Sequence, residues 1–402
     1  MEALYWLQDV LEHLRVSRRR KALRQPGRGF DYTADRDTVQ RVVARIHPRR
    51  MRLRVTEIIE ETPSTRTLRF ERLDGPLPPF RPGQYVNLFV DVDGVLTSRP
   101  YSISSPPPQG TGDEPGDFLD LTVRDKPDGF VAPYLLHEAQ VGDEFETTGP
   151  AGNFYHEPLI DGHDLVFLAG GSGITPFMSL IRTTLAQSPE EAPWRMHLLY
   201  GSRSPDDVIF HDELTALAAE HERLCYTLVI SEPPPGYDGP TGFLDAATIG
   251  QHVGDVSGKT FYVCGPQVMY EFCLSALQEL GVPGYKIRRE LYGPPDDVTR
   301  EPGWPEGLAA STRFSVEVES PAFEGPRTIQ ATAGEPLLNS LERHGIIVPA
   351  ICRAGECSAC RTRLLSGRVF QPAHTGLRES DRQYGYIHAC VSYPVTDLKI
   401  RI

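Results

Sequence analysis

Four cysteines lie within residues 352–390 in the spacing C-x4-C-x2-C-x29-C: Cys352, Cys357 and Cys360 share the stretch ICRAGECSACRTRL, and Cys390 sits in HACVSYP. Three thiolates on one tight loop, with a fourth from a distant segment, suit a 2Fe-2S cluster and therefore single-electron chemistry. Such a loop must aim its sulfurs at the cluster while its backbone N–H groups face the bridging sulfides. Ala354, Gly355, Ser358 and Ala359 are small enough to permit that approach. Four-thiolate zinc is the main rival, but zinc sites usually pair two short Cys hairpins, and here three ligands share one loop. His388, beside Cys390, lacks a metal-like spacing and is read as structural. Cys225 and Cys273 are expected to be buried core thiols.

Two further stretches carry chemistry. Arg99-Pro100-Tyr101-Ser102 lies within TSRPYSISS after an apparent strand and turn. Strand alternation sends Arg99 and Tyr101 to one side, so a guanidinium can meet a phosphate while a ring stacks on a flat heterocycle. Taken alone, the same tetrapeptide is equally an exposed Arg/Tyr pair. Gly170-Gly171-Ser172-Gly173-Ile174-Thr175-Pro176 follows the apolar run LVFLAG and precedes the helix-like FMSLIRTTL. Glycines there keep the turn tight and let a dinucleotide approach the backbone, with its phosphates near the helix N-terminus. Cys264-Gly265-Pro266 ends another strand, FYVCG. No activating base is identifiable for Cys264, so a positioning role fits better than a nucleophile. In YGSRSPDDVIF, Ser202 and Arg203 are followed by Asp206 and Asp207, which repel a 2'-phosphate but accept ribose hydroxyls. NADH is favoured over NADPH, and Arg203 keeps the second open.

The elements that must hold these groups are read from texture. Residues 51–158 alternate as short strands between Pro/Gly turns, such as MRLRVTEIIE, TRTLRF and QYVNLFVDV, the pattern of an antiparallel β-barrel. Residues 159–292 alternate strands and helices, as an α/β parallel sheet does. Residues 293–310 read as a linker, and residues 311–402 begin with two strands and a short helix before the cysteines. Residues 1–50 stand apart, with twelve Lys/Arg and six Asp/Glu, so their net charge of +6 leaves −19 for the remainder of the −13 total. Leu4, Leu7, Leu11 and Leu14 recur at helical spacing ahead of the basic run 15–24, which reads as an amphipathic helix. It either packs on the chain's own core, docks an acidic partner or touches a membrane surface. The overall acidity argues against nucleic acid as a partner. No apolar run approaches the ~20 residues of a membrane span. The opening stretch places its positive charges after its apolar positions, the reverse of a signal peptide, so the expected location is cytoplasmic.

Chain order and motifs over Met51 to Tyr292 resemble the ferredoxin-NADP reductase superfamily, and residues 311–402 resemble plant-type ferredoxins. The resemblance implies a flavin-binding barrel, a nicotinamide-binding α/β domain and a β-grasp ferredoxin domain with a low-potential cluster, about −400 mV as a class. It implies that Arg99 and Pro100 meet the flavin phosphate side, Tyr101 stacks on the isoalloxazine and Ser102 bonds near N5. Thr122, Val123 and Arg124 lie along the flavin, and Gly129, Val131 and Ala132 open the helix that accepts the pyrophosphate. The family's usual serine is Ala132 here, which leaves FMN as an alternative, while GPAGNF at residues 149–154 looks more like the FAD branch. Cys264 and Glu290, with Ser102, are implied nearest the reacting atoms. Gly265, Pro266 and Tyr292 take matching positions around the nicotinamide.

NADH yields two electrons together and a 2Fe-2S cluster takes one, and a flavin exchanges both, which explains why the three modules share a chain. The expected function is an NADH-dependent reductase passing electrons through FAD and the cluster to a separate acceptor protein, an oxygenase, hydroxylase or other metalloenzyme. The alternative is a redox-sensing or assembly subunit that does not turn over. Residues 1–50 fall outside the resemblance and are the candidate for partner-specific docking. Deleting residues 1–45 is expected to leave NADH-to-dye reduction intact and to weaken transfer to the acceptor; unchanged partner kinetics would refute docking.

Overall fold

The computed structural model describes residues 14–18, 36–108, 117–126, 129–291, 293–373 and 375–402. They divide into two compact units between Arg49 and Arg50. In the first, residues 14–18 and Arg36–Ile46 are helical, and Leu14 is exposed. Leu4, Leu7 and Leu11 of the expected amphipathic helix lie outside the described residues, as does Tyr292. No helix among the described residues is long and apolar enough to cross a membrane.

The second unit starts with six antiparallel strands: β1 (Met51–Thr62), β2 (Thr65–Arg72), β3 (Tyr85–Val92), β4 (Val95–Ser102), β5 (Leu119–Arg124) and β6 (Glu144–Thr147), ordered β4-β3-β6-β1-β2-β5. Along β1, Met51, Leu53 and Val55 are fully buried, while Arg52 and Arg54 between them pair with Glu144 outside. That two-residue alternation makes one face core and the other solvent. The edge strands meet through an Ile103–Leu121 bridge, and Ser104 N–H donates to the Asp120 carbonyl at 3.0 Å. This contact closes the barrel and sets the Arg99–Ser102 segment beside Thr122–Arg124.

Five parallel strands follow, β7 (Asp164–Gly170), β8 (Arg195–Ser202), β9 (Leu224–Ile230), β10 (Thr260–Cys264) and β11 (Ile287–Glu290), ordered β11-β10-β7-β8-β9. Residues Leu165–Gly170 of β7 are all buried, as expected of a parallel strand covered on both faces. The chain winds outward from β7 through β8 to β9, then returns to place β10 and β11 on β7's other side. The β7–β10 boundary is thus a topological switch point, where the connections diverge and leave a crevice at the strands' carboxyl ends.

The last strands are β12 (Arg313–Glu319), β13 (Arg327–Thr332), β14 (Arg361–Ser366), β15 (Val369–Phe370), β16 (Tyr386–His388), β17 (Tyr393–Pro394) and β18 (Leu398–Arg401). Five form a mixed sheet, β13-β12-β18-β14-β16, with β12 parallel to β18. The helix Leu337–Arg343 packs its three leucines into that sheet's core. The segment 293–310 is also anchored, since Trp304 meets Phe370 edge-on at 5.2 Å.

The connection leading from the barrel is anchored on the parallel sheet by Asp161, which is fully buried at the end of the short helix Pro158–Asp161. Its carboxylate accepts from Arg288 at 2.8 Å, Tyr262 Oη at 2.8 Å and the Glu157 N–H at 2.7 Å. Asp161→Ala leaves these donors unmatched and is expected to destabilise the protein by about 3 kcal/mol. Denaturant melts read the loss, and an unchanged midpoint would show that the carboxylate is not structural.

Candidate active site

The cysteine loop brings all four predicted thiols together. The Cys360 and Cys390 sulfurs are 3.2 Å apart, and Cys352 contacts both Cys357 and Cys390. The Cys357 N–H donates to the Cys352 sulfur at 3.3 Å, and the Ala354 N–H also points at it. Backbone donors therefore face the sulfurs, as an anionic cluster requires. Among the described residues no three His, Cys, Asp or Glu side chains are grouped as one metal ion needs. A binuclear cluster divides four thiolates between two irons and does not demand such a point. Arg353, Gly355 and Ser358 have positive φ, and a Cβ on Gly355 would press on Val391, so the tight loop depends on that glycine. His388 braces the loop, its Nδ1 lying 2.7 Å from the Gly355 carbonyl, in keeping with a structural role. Cys273 is buried as expected, but Cys225 is exposed, because β9 is the edge strand of its sheet.

On β4, Arg99 and Tyr101 are half-buried and Ser102 is buried. Burial lowers the Arg99 guanidinium to about 10, and nearby Arg353 adds to the effect. Arg99 donates to Thr97 Oγ1 at 2.7 Å and to the Ser98 carbonyl at 2.8 Å. Thr122 turns its hydroxyl to Thr67 at 2.8 Å and Ser104 at 2.9 Å, inside the barrel wall. Val123 is buried beside it. Gly129 precedes the helix Ala132–His137, which begins at buried Val131 with no side-chain cap among the described residues.

The glycine turn closes on the strand carrying Cys264. A Cβ at Gly173 would run into the Cys264 carbonyl, and one at Gly170 would meet Met269 and Pro266, so Gly170–Gly173 and Cys264–Pro266 pack together at the switch point. Ile174, Thr175 and Pro176 are buried where the helix Thr175–Ala186 begins. Cys264 is fully buried and in register with Glu290 on β11. Ser202 Oγ bonds the Ser204 and Asp207 carbonyls, each at 3.2 Å. Arg203 is exposed and lies 3.7 Å from Glu232. Asp207, expected to accept ribose hydroxyls, instead accepts from Thr62 at 2.8 Å, Ser64 at 2.6 Å and Arg124, which also lies over Gly171. The barrel takes this carboxylate because Arg124 brings a buried-side cation that needs a partner. A cleft lined by Asp164, Arg195, His197 and Cys225 opens at the amino ends of the parallel strands, the end opposite to the crevice.

Tyr85, which sequence reasoning missed, stands where the three domains meet. It pairs with Ser102 across β3 and β4, and its ring touches Gly152 near the Glu290 carboxyl. Glu290 feels the charges of Glu356 and Cys352 on the cluster loop, and so does Tyr85. No local pattern marks Tyr85, since its meaning comes only from long-range contacts.

Glu290 Oε2 is buried and finds no hydrogen-bond partner among the described residues. Such an orphaned oxygen in the crevice fits a site completed by a bound group. Burial first, then Glu356 and Cys352, raise the carboxyl from its ordinary 4.5 to about 8, so it holds its proton at neutral pH. Stability linked to this group is complete below about pH 4.5, falls as pH rises toward 8 and is level beyond. Glu290→Gln is therefore expected to match the wild type in thermal melts at pH 5 and to exceed it at pH 9. Equal melting at pH 9 would place the carboxyl in a solvated setting.

Three domain families match consecutive stretches: the oxidoreductase FAD-binding domain over residues 52–156, the oxidoreductase NAD-binding domain over 167–274 and the 2Fe-2S iron-sulfur cluster binding domain over 323–395. The ferredoxin reductase component of 3-ketosteroid-9-alpha-monooxygenase from Mycobacterium tuberculosis is 29% identical over 360 residues, covering 86% of this chain and 94% of that relative. The glycine betaine monooxygenase reductase subunit of Chromohalobacter salexigens is 29% identical over 363 residues, covering 87% and 95%. Phthalate dioxygenase reductase shares the fold, with a TM-score of 0.65 at 22% identity over 88% of this chain and 98% of its own. With an FAD-binding domain, an NAD-binding domain and a C-terminal 2Fe-2S domain in that order, the chain is an electron-transfer oxidoreductase, similar over most of its length to reductase components of monooxygenases.

Proposed function

We propose that this protein is a cytoplasmic, NADH-dependent reductase component that delivers electrons one at a time to a separate oxygenase. The observation that carries this reading is the convergence at Tyr85, where the Glu290 crevice, the Arg99–Ser102 strand and the cysteine loop adjoin. A flavin held there would supply the exchange between an electron pair and single electrons that joins NADH to a 2Fe-2S cluster. Arg99 and the uncapped amides at Val131 and Ala132 would hold the flavin phosphates, Tyr101 would cover the ring, and Thr122, Val123 and Arg124 would flank it. Gly170–Pro176, with Cys264–Pro266, would seat the dinucleotide, and buried Cys264 and Glu290 keep water from its reacting end. Cys352, Cys357, Cys360 and Cys390 would hold the cluster.

The ribose turn supports NADH. Asp207 is committed to the barrel, and Glu232 balances Arg203, so the turn offers no surplus positive charge to a 2'-phosphate. The acceptor follows from the relatives, which are reductase subunits of monooxygenases. Cys360→Ser is expected to abolish the 2Fe-2S spectrum and transfer to an oxygenase while leaving NADH-to-ferricyanide reduction near the wild-type rate. A normal cluster spectrum in that variant would refute the ligand set, and equal use of NADPH would refute the nucleotide assignment.

A further inference from the structure

The strand that carries Arg99 also grips the cluster loop, two residues earlier. Thr97 on β4 is buried, and its hydroxyl donates to Glu342 Oε2 at 2.8 Å, accepts from Arg99 at 2.7 Å and accepts from Arg353 at 3.2 Å. A hydroxyl has one proton and two lone pairs, so this one is saturated. Arg353 also pairs with Glu342 and donates to Asn339 Oδ1 at 3.2 Å. One strand away, Asn87 is fully buried and its Nδ2 donates to the Ala350 carbonyl at 2.7 Å and to Ser98 Oγ at 2.9 Å. Ala350 lies two residues before Cys352 and Arg353 directly after it, so the barrel holds the Cys352 segment from both sides.

This contact differs from ordinary domain packing in what it is made of. The Arg353 and Glu342 side chains are 4% and 9% exposed. Burying such a pair is weak stabilisation compared with apolar packing, but once buried its geometry is demanding, since every unmatched group is penalised. Arg353 also holds a φ of 54°, a conformation that non-glycine residues avoid. Buried polar groups and a left-handed backbone thus coincide on the Cys352 segment, where it touches the flavin strand.

We infer that Thr97 and Asn87 are positioning residues for internal electron transfer, fixing the Cys352 edge of the cluster against the strand that carries Arg99–Ser102. This rests on the proposed function. In the step concerned one electron leaves the reduced flavin and enters the oxidised cluster, with no bond made or broken.

The test uses the full-length holoprotein with Thr97→Val, which keeps the shape and removes the hydroxyl, and Thr97→Ser, which restores it. In Thr97→Val the cluster absorption and EPR signal and the rate of NADH reduction of the flavin are expected to stay at wild-type values. The flavin-to-cluster phase in anaerobic stopped flow should slow by roughly tenfold, because the hydroxyl's three bonds to charged side chains are lost together. Amide exchange over residues 349–354 should quicken with or without NADH, and Thr97→Ser should recover both. If Thr97→Val does not take up its cofactors, Asn87→Ala carries the same measurements. A wild-type internal phase, or slowing that Thr97→Ser does not rescue, would overturn the positioning role. Failure of the wild type to pass electrons from NADH to the cluster would instead overturn the functional reading.

Discussion

Electron transfer between a pair donor and a single-electron carrier demands that separately folded cores be held close, and here that demand falls on one edge of the barrel. The β3–β4 hairpin presents Tyr85 and Ser102 to the crevice of the parallel sheet, and Asn87 and Thr97 to the cluster loop. Four residues on two adjacent strands thus face the other two domains. The hairpin is held from two sides, by β6 along β3 and by the Ile103–Leu121 bridge beyond β4, which leaves it little freedom to shift register.

The two barrel interfaces are built alike. Against the parallel sheet, Asp207 collects Thr62, Ser64 and Arg124; against the ferredoxin sheet, Thr97 collects Glu342, Arg353 and Arg99. In each a polar group of one domain is held by side chains of the other. Apolar faces can slide at little cost, whereas a directional hydrogen-bonding node loses bonds when its members shift. The core clusters stabilise each domain, and the nodes specify how the domains meet.

The glycine turn shows the same economy of space. Gly173 exists because the Cys264 carbonyl occupies the position of a Cβ, so two strands separated by ninety residues of chain close into one crevice wall. The alternation of buried and exposed residues on β1, the buried run of β7 and the cysteine spacing were all legible locally, since each expresses a short-range period or ligand geometry. Cys225 was misjudged because exposure on β9 depends on its place at the sheet edge, which composition does not encode. Thr122 and Asp207 were legible as polar residues near the right motifs, but their partners come from elsewhere in the fold.

By itself, then, the sequence determined the three modules and their order, and it brought forward candidate groups for a cluster, a flavin and a dinucleotide. Those follow from spacing within a single loop or strand, where covalent geometry limits what neighbouring side chains can do. The tertiary structure alone decided that burial and the nearby cluster loop raise the Glu290 carboxyl's pKa, that Asp207 serves an interface and that Thr97 joins Arg99 to Arg353. Each of these depends on burial and on partners tens to hundreds of residues away, and desolvation and hydrogen-bond saturation have no short-range signature in a chain.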